Sequence, residues 1–203
     1  FLLFFTASAI LMVFYWAVFS KLAFYKSKRK LQARPPVSVI VCARNEYYKL
    51  GDNLPKLLEQ DYPDYELILV NDGSDDDTID LLTELKLKYS HLQMIDLDES
   101  LNFFRGKKFP LSIGIKSAKH SIVVLTDADC KPEGKNWLSG IVSGFDESTD
   151  IVLGYGKYEY KPGLLNAFVR YDTIHTAMQY LSLAIMGMPY MGVGRNLAYR
   201  KDL

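Results

Sequence analysis

Cysteine and histidine are scarce in this 203-residue chain: Cys42 and Cys130 are its only thiols, and His91, His120 and His175 lie far apart. Two isolated cysteines supply neither a disulfide framework nor the paired spacing of a zinc site, and they suit a reducing compartment. The scattered histidines suggest no ligand cluster and read as structural. No phosphate-binding P-loop and no serine nucleophile elbow are present, which removes two common catalytic frameworks. Internal repeats and low-complexity segments are also missing. Charge is absent from side chains 1–20, and acids are absent from residues 21–34.

The uncharged stretch is what remains most visible. Phe1 to Ser20, extended by Leu22 to Tyr25 past a single Lys21, has the roughly 20-residue length that crosses a bilayer as a helix. Tyr15, Trp16 and Tyr25 suit an interfacial position. A cleaved signal peptide would carry its basic residues before the apolar run. Here Lys21, Lys26, Lys28, Arg29, Lys30 and Arg34 follow it, and no small-residue cleavage site appears. We therefore expect a membrane helix over 1–25, a basic linker over 26–36 and a cytoplasmic domain over 37–203. The formal net charge is zero; six of the 24 basic residues lie at 21–34, leaving 18 against 24 acids. The body is mildly acidic. Nucleic-acid binding is not expected, because the basic cluster abuts the apolar helix and more simply serves topology or anionic lipid.

After Pro35-Pro36, Val37 to Cys42 is a continuous apolar run of the kind buried on both faces of a parallel sheet. Leu50, Leu54, Leu57 and Leu58 then mark a helix face, and Tyr65 to Val70 a second strand. Asp75, Asp76 and Asp77 favour a helix start, with Ile79, Leu81, Leu82, Leu85 and Leu87 carrying that helix toward Tyr89. A third strand follows at Leu92 to Leu97, a loop at 98–105, and a helix from Gly106-Lys107-Lys108 to Ala118 in which Pro110 must occupy the first turn. The apolar run from Ile122 is a fourth strand that ends on the two carboxylates of Thr126-Asp127-Ala128-Asp129. A helix around Trp137 to Phe145, a strand near 150–155 and a long apolar helix over 163–187 complete the pattern. In that last helix Arg170, Asp172, His175 and Gln179 make a membrane span costly, so it should cover the sheet or lie at a membrane surface. Alternating strands and helices imply an α/β fold with a predominantly parallel, doubly wound sheet.

Such sheets bind ligands at the carboxyl ends of their strands. The first strand leads to Asn45 and Glu46, the second to Asp72, and the fourth to Asp127 and Asp129, all at one edge. Carboxylates gathered there would repel one another unless a cation or hydrogen-bond donors intervened. Hard oxygen ligands suit Mg2+ or Mn2+, which commonly combine one or two carboxylates with substrate phosphates. Each residue also has a plainer reading. Asp127 and Asp129 could be a polar turn, Asp72 an Asx-turn with Gly73, Glu46 a first-turn helix acid, and Lys107 a solvated surface lysine.

Five segments, in order, resemble the family 2 glycosyltransferases, the inverting enzymes of the glycosyltransferase A (GT-A) fold. They are Val37 to Glu46, Val70 to Thr78, Gly106-Lys107, Thr126 to Asp129, and Gly192-Val193-Gly194-Arg195-Asn196-Leu197-Ala198-Tyr199-Arg200. The resemblance runs from about Val37 to Lys201. It implies a Rossmann-like, mostly parallel sheet flanked by helices, and transfer of a sugar from a nucleotide-sugar donor to a lipid-linked or saccharide hydroxyl acceptor. Residue by residue, it implies that Asp72 reads the base, typically uracil, with Ala43, Asn45 and Glu46 along the nucleoside. Asp127 would face the ribose or donor sugar, Lys107 would help hold the donor, and Asp129 would bind the metal bridging the diphosphate. Gly192, Gly194 and Asn196 would border the sugar and acceptor.

Two departures stand out. The family usually follows Gly-Lys with Ala-Leu-Asn, where this chain has Pro110, Leu111 and Ser112. The family's catalytic base is an Asp shortly after the equivalent of Arg200, so it is expected beyond Leu203. The residues alone also admit a nucleotidyltransferase or a catalytically silent membrane-anchored scaffold.

Overall fold

The computed structural model describes residues 1–26, 34–98 and 106–203. The expected loop at 98–105 and most of the basic linker therefore fall largely outside the described residues. The chain forms two compact units, one of residues 1–28 and 155–193, the other of residues 29–154 and 194–203.

The larger unit is an α/β sandwich. Its strands are β1 (Val37–Ala43), β2 (Tyr65–Asp72), β3 (Leu92–Leu97), β4 (Ile122–Asp127), β5 (Ile151–Leu153) and β6 (Leu197–Arg200). They form one sheet in the order β3-β2-β1-β4-β6-β5. The first four are mutually parallel, whereas β6 runs antiparallel to both β4 and β5. All seven residues of β1 are buried, as a central strand covered on both faces requires.

Alternation along the strands sorts the core into two halves. Val37, Val39 and Val41 face helices α2 (Tyr47–Leu58), α3 (Thr78–Lys88) and α5 (Trp137–Val142), meeting Leu50, Leu54, Leu82 and Leu138. Ile40, Cys42, Ile68 and Val70 face α4 (Lys108–Ser117), through Phe109, Leu111, Ile113 and Ile115. Gly114 lets α4 approach closely, because a Cβ there would stand 2.7 Å from Ile40 Cγ2. Pro110 occupies the first turn of α4, as its missing N–H demands.

At the edge opposite the strands' carboxyl ends, a buried polar network ties four strand regions together. Ser38 Oγ donates to Glu66 Oε1 at 2.5 Å, and Glu66 also accepts from Gln93 Nε2 at 2.5 Å and the Lys119 amide at 2.8 Å. A buried carboxylate is tolerated because those donors replace its water.

Several boundaries differ from the sequence pattern. β2 runs two residues further than its apolar stretch, so Asn71 and Asp72 lie inside the strand. The helix expected to reach Phe145 ends at Val142, and the strand expected near 150–155 contracts to Ile151–Leu153. The smaller unit contains α1 (Leu2–Ala23) and α6 (Leu164–Ile185), which pack against each other. With 22 residues, α1 is about 33 Å long, enough to cross a hydrocarbon core of about 30 Å. Its length and apolar character fit a single membrane anchor.

Candidate active site

The register places three strand ends side by side. Cys42 of β1 pairs with Val70 of β2 and with Asp127 of β4, and Ala43 pairs with Asn71. The sequence-derived residues Ala43, Asn45, Glu46, Asp72, Asp127 and Asp129 thus all emerge along one edge of the larger unit, where a parallel sheet presents its ligands.

Two loops at this edge are laced together by Asn45. It adopts φ +54°, in the left-handed region that Asn tolerates better than most residues. Its amide donates to Ser74 Oγ at 2.9 Å, and its Oδ1 accepts from the Asp75 amide at 2.7 Å. Ser74 Oγ in turn donates to Asn71 Oδ1, and Asn71 Nδ2 donates to Asp96 Oδ1 at 2.7 Å. The β1–α2 turn is therefore anchored through β2 to β3. Gly73, at φ +60°, supplies the reversal after Asp72. Asp76 completes the lacing: one carboxylate oxygen accepts the Tyr47 amide at 3.1 Å, and the other accepts the Thr78 amide at 3.2 Å. Asp76 therefore serves the starts of both α2 and α3, whereas Asp77, at the cap position of α3, makes no side-chain cap bond.

Around β4, Lys107 Nζ lies 2.6 Å from Asp127 Oδ1, an ion pair between half-exposed groups. Lys107 immediately precedes α4, so the helix start positions this cation. Glu46 is paired locally, its Oε2 2.8 Å from Lys49 Nζ. The turn after β4 closes by a Cys130 amide to Asp127 carbonyl bond of 3.0 Å. Asn53 of α2 donates to the Ala128 carbonyl at 3.3 Å, holding the segment between the two acids from the other side. Ligand atoms of Asp127, Asp129 and Cys130 lie within 4.8 Å of one another.

This donor set fits a divalent cation. Two carboxylates, Asp127 half-exposed and Asp129 exposed, leave room for phosphate and water oxygens, which is how Mg2+ and Mn2+ are usually held. Cys130 is the less suitable ligand, because burial raises its thiol pKa and a thiol coordinates as thiolate. Burial pushes the Cys42 thiol up to about 12, consistent with a small buried hydrophobe beneath the site.

Gly194 and Asn196 form a short 3-10 turn leading into β6, in the larger unit. Trp137 Nε1 donates to Asn196 Oδ1 at 3.1 Å, and the Asn196 carbonyl accepts the Gly154 amide at 2.8 Å. A Cβ on Gly154 would stand 2.3 Å from Asn196 Nδ2, so this glycine is required for the close approach. Gly192 falls in the smaller unit. The supporting roles of Asn53, Asn71, Ser74 and Asp76 had no local signal beyond being turn-forming residues. Only the tertiary fold brings them to the site.

Comparison with known proteins supplies the wider frame. The profile of the family described as "Glycosyl transferase family 2" matches residues 38–189. A poly-beta-1,6-N-acetyl-D-glucosamine synthase of Staphylococcus epidermidis is 33% identical over 132 residues, covering 59% of this chain and 30% of that protein. The probable glycosyltransferase YdaM of Bacillus subtilis is 30% identical over 154 residues, covering 73% of this chain and 36% of that protein. The chain thus spans about a third of the length of these curated relatives.

Among solved structures, the mannosyltransferase PcManGT of Pyrobaculum calidifontis, determined with GDP-Man and Mn2+, superposes with a TM-score of 0.73 at 21% identity. That match covers 94% of this chain and 52% of PcManGT, and it shows a shared GT-A-like fold. TarS residues 1–349 of S. aureus, determined with UDP-GlcNAc, give a TM-score of 0.51 at 26% identity, covering 58% of this chain and 33% of that one. With three quarters of its length matched by the family profile, the chain belongs to glycosyl transferase family 2.

Proposed function

We propose that the chain carries the donor half of a membrane-anchored, inverting glycosyltransferase that moves a sugar from a UDP-sugar to a hydroxyl acceptor in cell-surface polysaccharide or glycolipid synthesis. The observation that carries this reading is the convergence of Asp72, Lys107, Asp127 and Asp129 at the carboxyl edge of adjacent parallel strands. Two of the similar proteins support a nucleotide-sugar donor, one having been solved with GDP-Man and the other with UDP-GlcNAc.

In this reading Asp72 recognises the base, while Ala43, Asn45 and Glu46 line the nucleoside. Asp127 positions the ribose or donor sugar, and Asp129 holds Mg2+ or Mn2+. When bound, the cation stabilises negative charge on the leaving diphosphate. Lys107 adds a second positive charge on a flexible stem, and on donor binding it exchanges its Asp127 partner for phosphate oxygens. Gly194 and Asn196 border the sugar. The acceptor hydroxyl attacks the anomeric carbon in line with the departing nucleoside diphosphate. Its proton must pass to a carboxylate of the whole protein, which can act as the base only if held within hydrogen-bond reach. With α1 crossing the inner membrane and the basic residues at 21–34 retained inside, the larger unit faces the cytoplasm.

The test is to supply the whole membrane-bound protein with UDP- and GDP-sugars in Mn2+ and to follow release of nucleoside diphosphate. Metal-dependent release of UDP coupled to an extended saccharide or glycolipid is the expected result. Turnover of a nucleoside triphosphate with release of pyrophosphate would instead identify a nucleotidyltransferase.

A further inference from the structure

Helix α6 carries its polar and apolar faces in an inverted arrangement. Asn166, Arg170 and Thr173 share one face by their i, i+4, i+7 spacing, and the preceding segment covers that face at Asn166 and Arg170. Asn166 Oδ1 accepts the Lys161 amide at 2.9 Å, and its Nδ2 donates to the Glu159 carbonyl at 3.1 Å. The Arg170 guanidinium sits 5.2 Å from the centre of the Tyr160 ring. Leu164, Phe168, Tyr171 and His175 share the opposite face, and there Leu164 is 91% exposed, Phe168 66% and Tyr171 66%. A helix packing onto a soluble core buries its apolar face and exposes its polar one; the first half of α6 does the reverse.

The apolar face continues into contact with the membrane-anchor helix. The Tyr171 ring stacks on His175 at 5.9 Å and 13°, and His175 in turn meets Tyr15 and Phe19 of α1, each 6.0 Å away between ring centres. Tyr15 and Phe19 belong to the last three turns of α1, just before Lys21 and Lys26. Toward its start, α1 is bare, with Leu3, Phe4, Ile10 and Met12 all exposed. The contact with α6 therefore falls at the basic end of the anchor, where a spanning helix leaves the hydrocarbon.

We infer that the first half of α6 is a membrane-surface helix, its Leu164-Phe168-Tyr171 face immersed at the headgroup–acyl boundary beside the exit of α1. The bilayer is the occupant because the exposed stripe is continuous with the contact α6 makes on the anchor, and Tyr is a residue of that boundary. Arg170 and Asp172 bar the alternative of a second span. The inference rests on α1 being a membrane anchor, which the experiment reads separately.

The full chain is reconstituted in vesicles containing lipids brominated either near the headgroup or deep in the acyl chain. Native Trp16 reports on α1. In a Trp16→Phe background, Phe168→Trp reports on the apolar face of α6 and Thr173→Trp on its polar face, with Trp137 as the constant remainder. We expect Trp16 to be quenched, Phe168→Trp to gain emission that is blue-shifted and quenched more by shallow than by deep bromines, and Thr173→Trp emission to be untouched by either. Quenched Trp16 with unquenched Phe168→Trp would overturn the surface helix. The same pattern with a self-associated species by light scattering would assign the face to a second copy, and equally overturn it. Unquenched Trp16 would remove the anchor itself and the inference with it.

Discussion

Lys107 Nζ and Asp127 Oδ1 stand 2.6 Å apart, joining the residue that starts α4 to the last residue of β4 across the mouth of the proposed donor site. Both side chains are substantially exposed, so the pair contributes little to folding, on the order of 0–1 kcal/mol. Its importance lies in where it places a mobile cation. Lys107→Met should therefore leave the thermal midpoint almost unchanged and weaken nucleotide-sugar binding by roughly tenfold, the loss of one charge-assisted contact of about 1.5 kcal/mol. Comparing unfolding curves with donor titrations separates the two effects. A large fall in stability with unchanged donor affinity would show that Lys107 is structural.

Asn45 connects backbone conformation to the site. Its left-handed φ and its two bonds to the Ser74–Asp75 turn fix the β1–α2 loop against the loop that follows Asp72. Asn45→Ala loses the side-chain acceptor and places a Cβ residue with no local polar compensation at positive φ, costing about 1–2 kcal/mol. Asn45→Gly removes the same side-chain bond but suits the backbone. Donor affinity should fall in both variants, while stability should fall distinctly more in the alanine variant. Equal stability losses would contradict the conformational part of this explanation.

Alkaline pH should unfold the larger unit through three weak acids, Cys42 and Tyr62 buried and Tyr65 partly buried. Burial pushes Cys42 up to about 12 from 9.0, and burial likewise pushes Tyr62 and Tyr65 up to about 12 from 10.0. Each raised group binds its proton more tightly when folded, so its contribution is fully present below the unfolded value and is lost as pH rises toward about 12. Denaturation midpoints should hold up to about pH 9 and then decline, each group adding a slope of up to about 1.4 kcal/mol per pH unit. Cys42→Ala should delay the onset of the decline toward pH 10. An unchanged onset in that variant would remove Cys42 from the account.

Much of this architecture was legible in the residues because local pattern and tertiary burial agree. The apolar run from Val37 to Cys42 has no polar alternation, and β1 is buried at every position. Leu50, Leu54, Leu57 and Leu58 mark a helix face, and those same residues are the buried ones of α2. The placement of Asp72 and Asp127 along one edge followed from strand–helix alternation, because parallel neighbours present the same ends. What stayed hidden depends on partners distant in sequence. β6 is four residues long and gains strand character only by pairing with β4 and β5. Asp76 rather than Asp77 takes the helix-start amides, because the β1–α2 turn draws its carboxylate toward Tyr47. The hold of Asn53 on the Ala128 carbonyl spans 75 positions, and the packing of α6 on α1 joins the two ends of a discontinuous unit.

The central claim is that Asp129 and a divalent cation together bind the donor's diphosphate. Calorimetric titration of UDP-GlcNAc into the full chain, with and without Mn2+, tests it directly when paired with Asp129→Ala. We predict binding that requires Mn2+ and that falls by at least about tenfold in the variant, the loss of roughly 1.4 kcal/mol or more, with the unfolding midpoint little changed because Asp129 is exposed. Tight binding that is indifferent both to Mn2+ and to Asp129→Ala would contradict it.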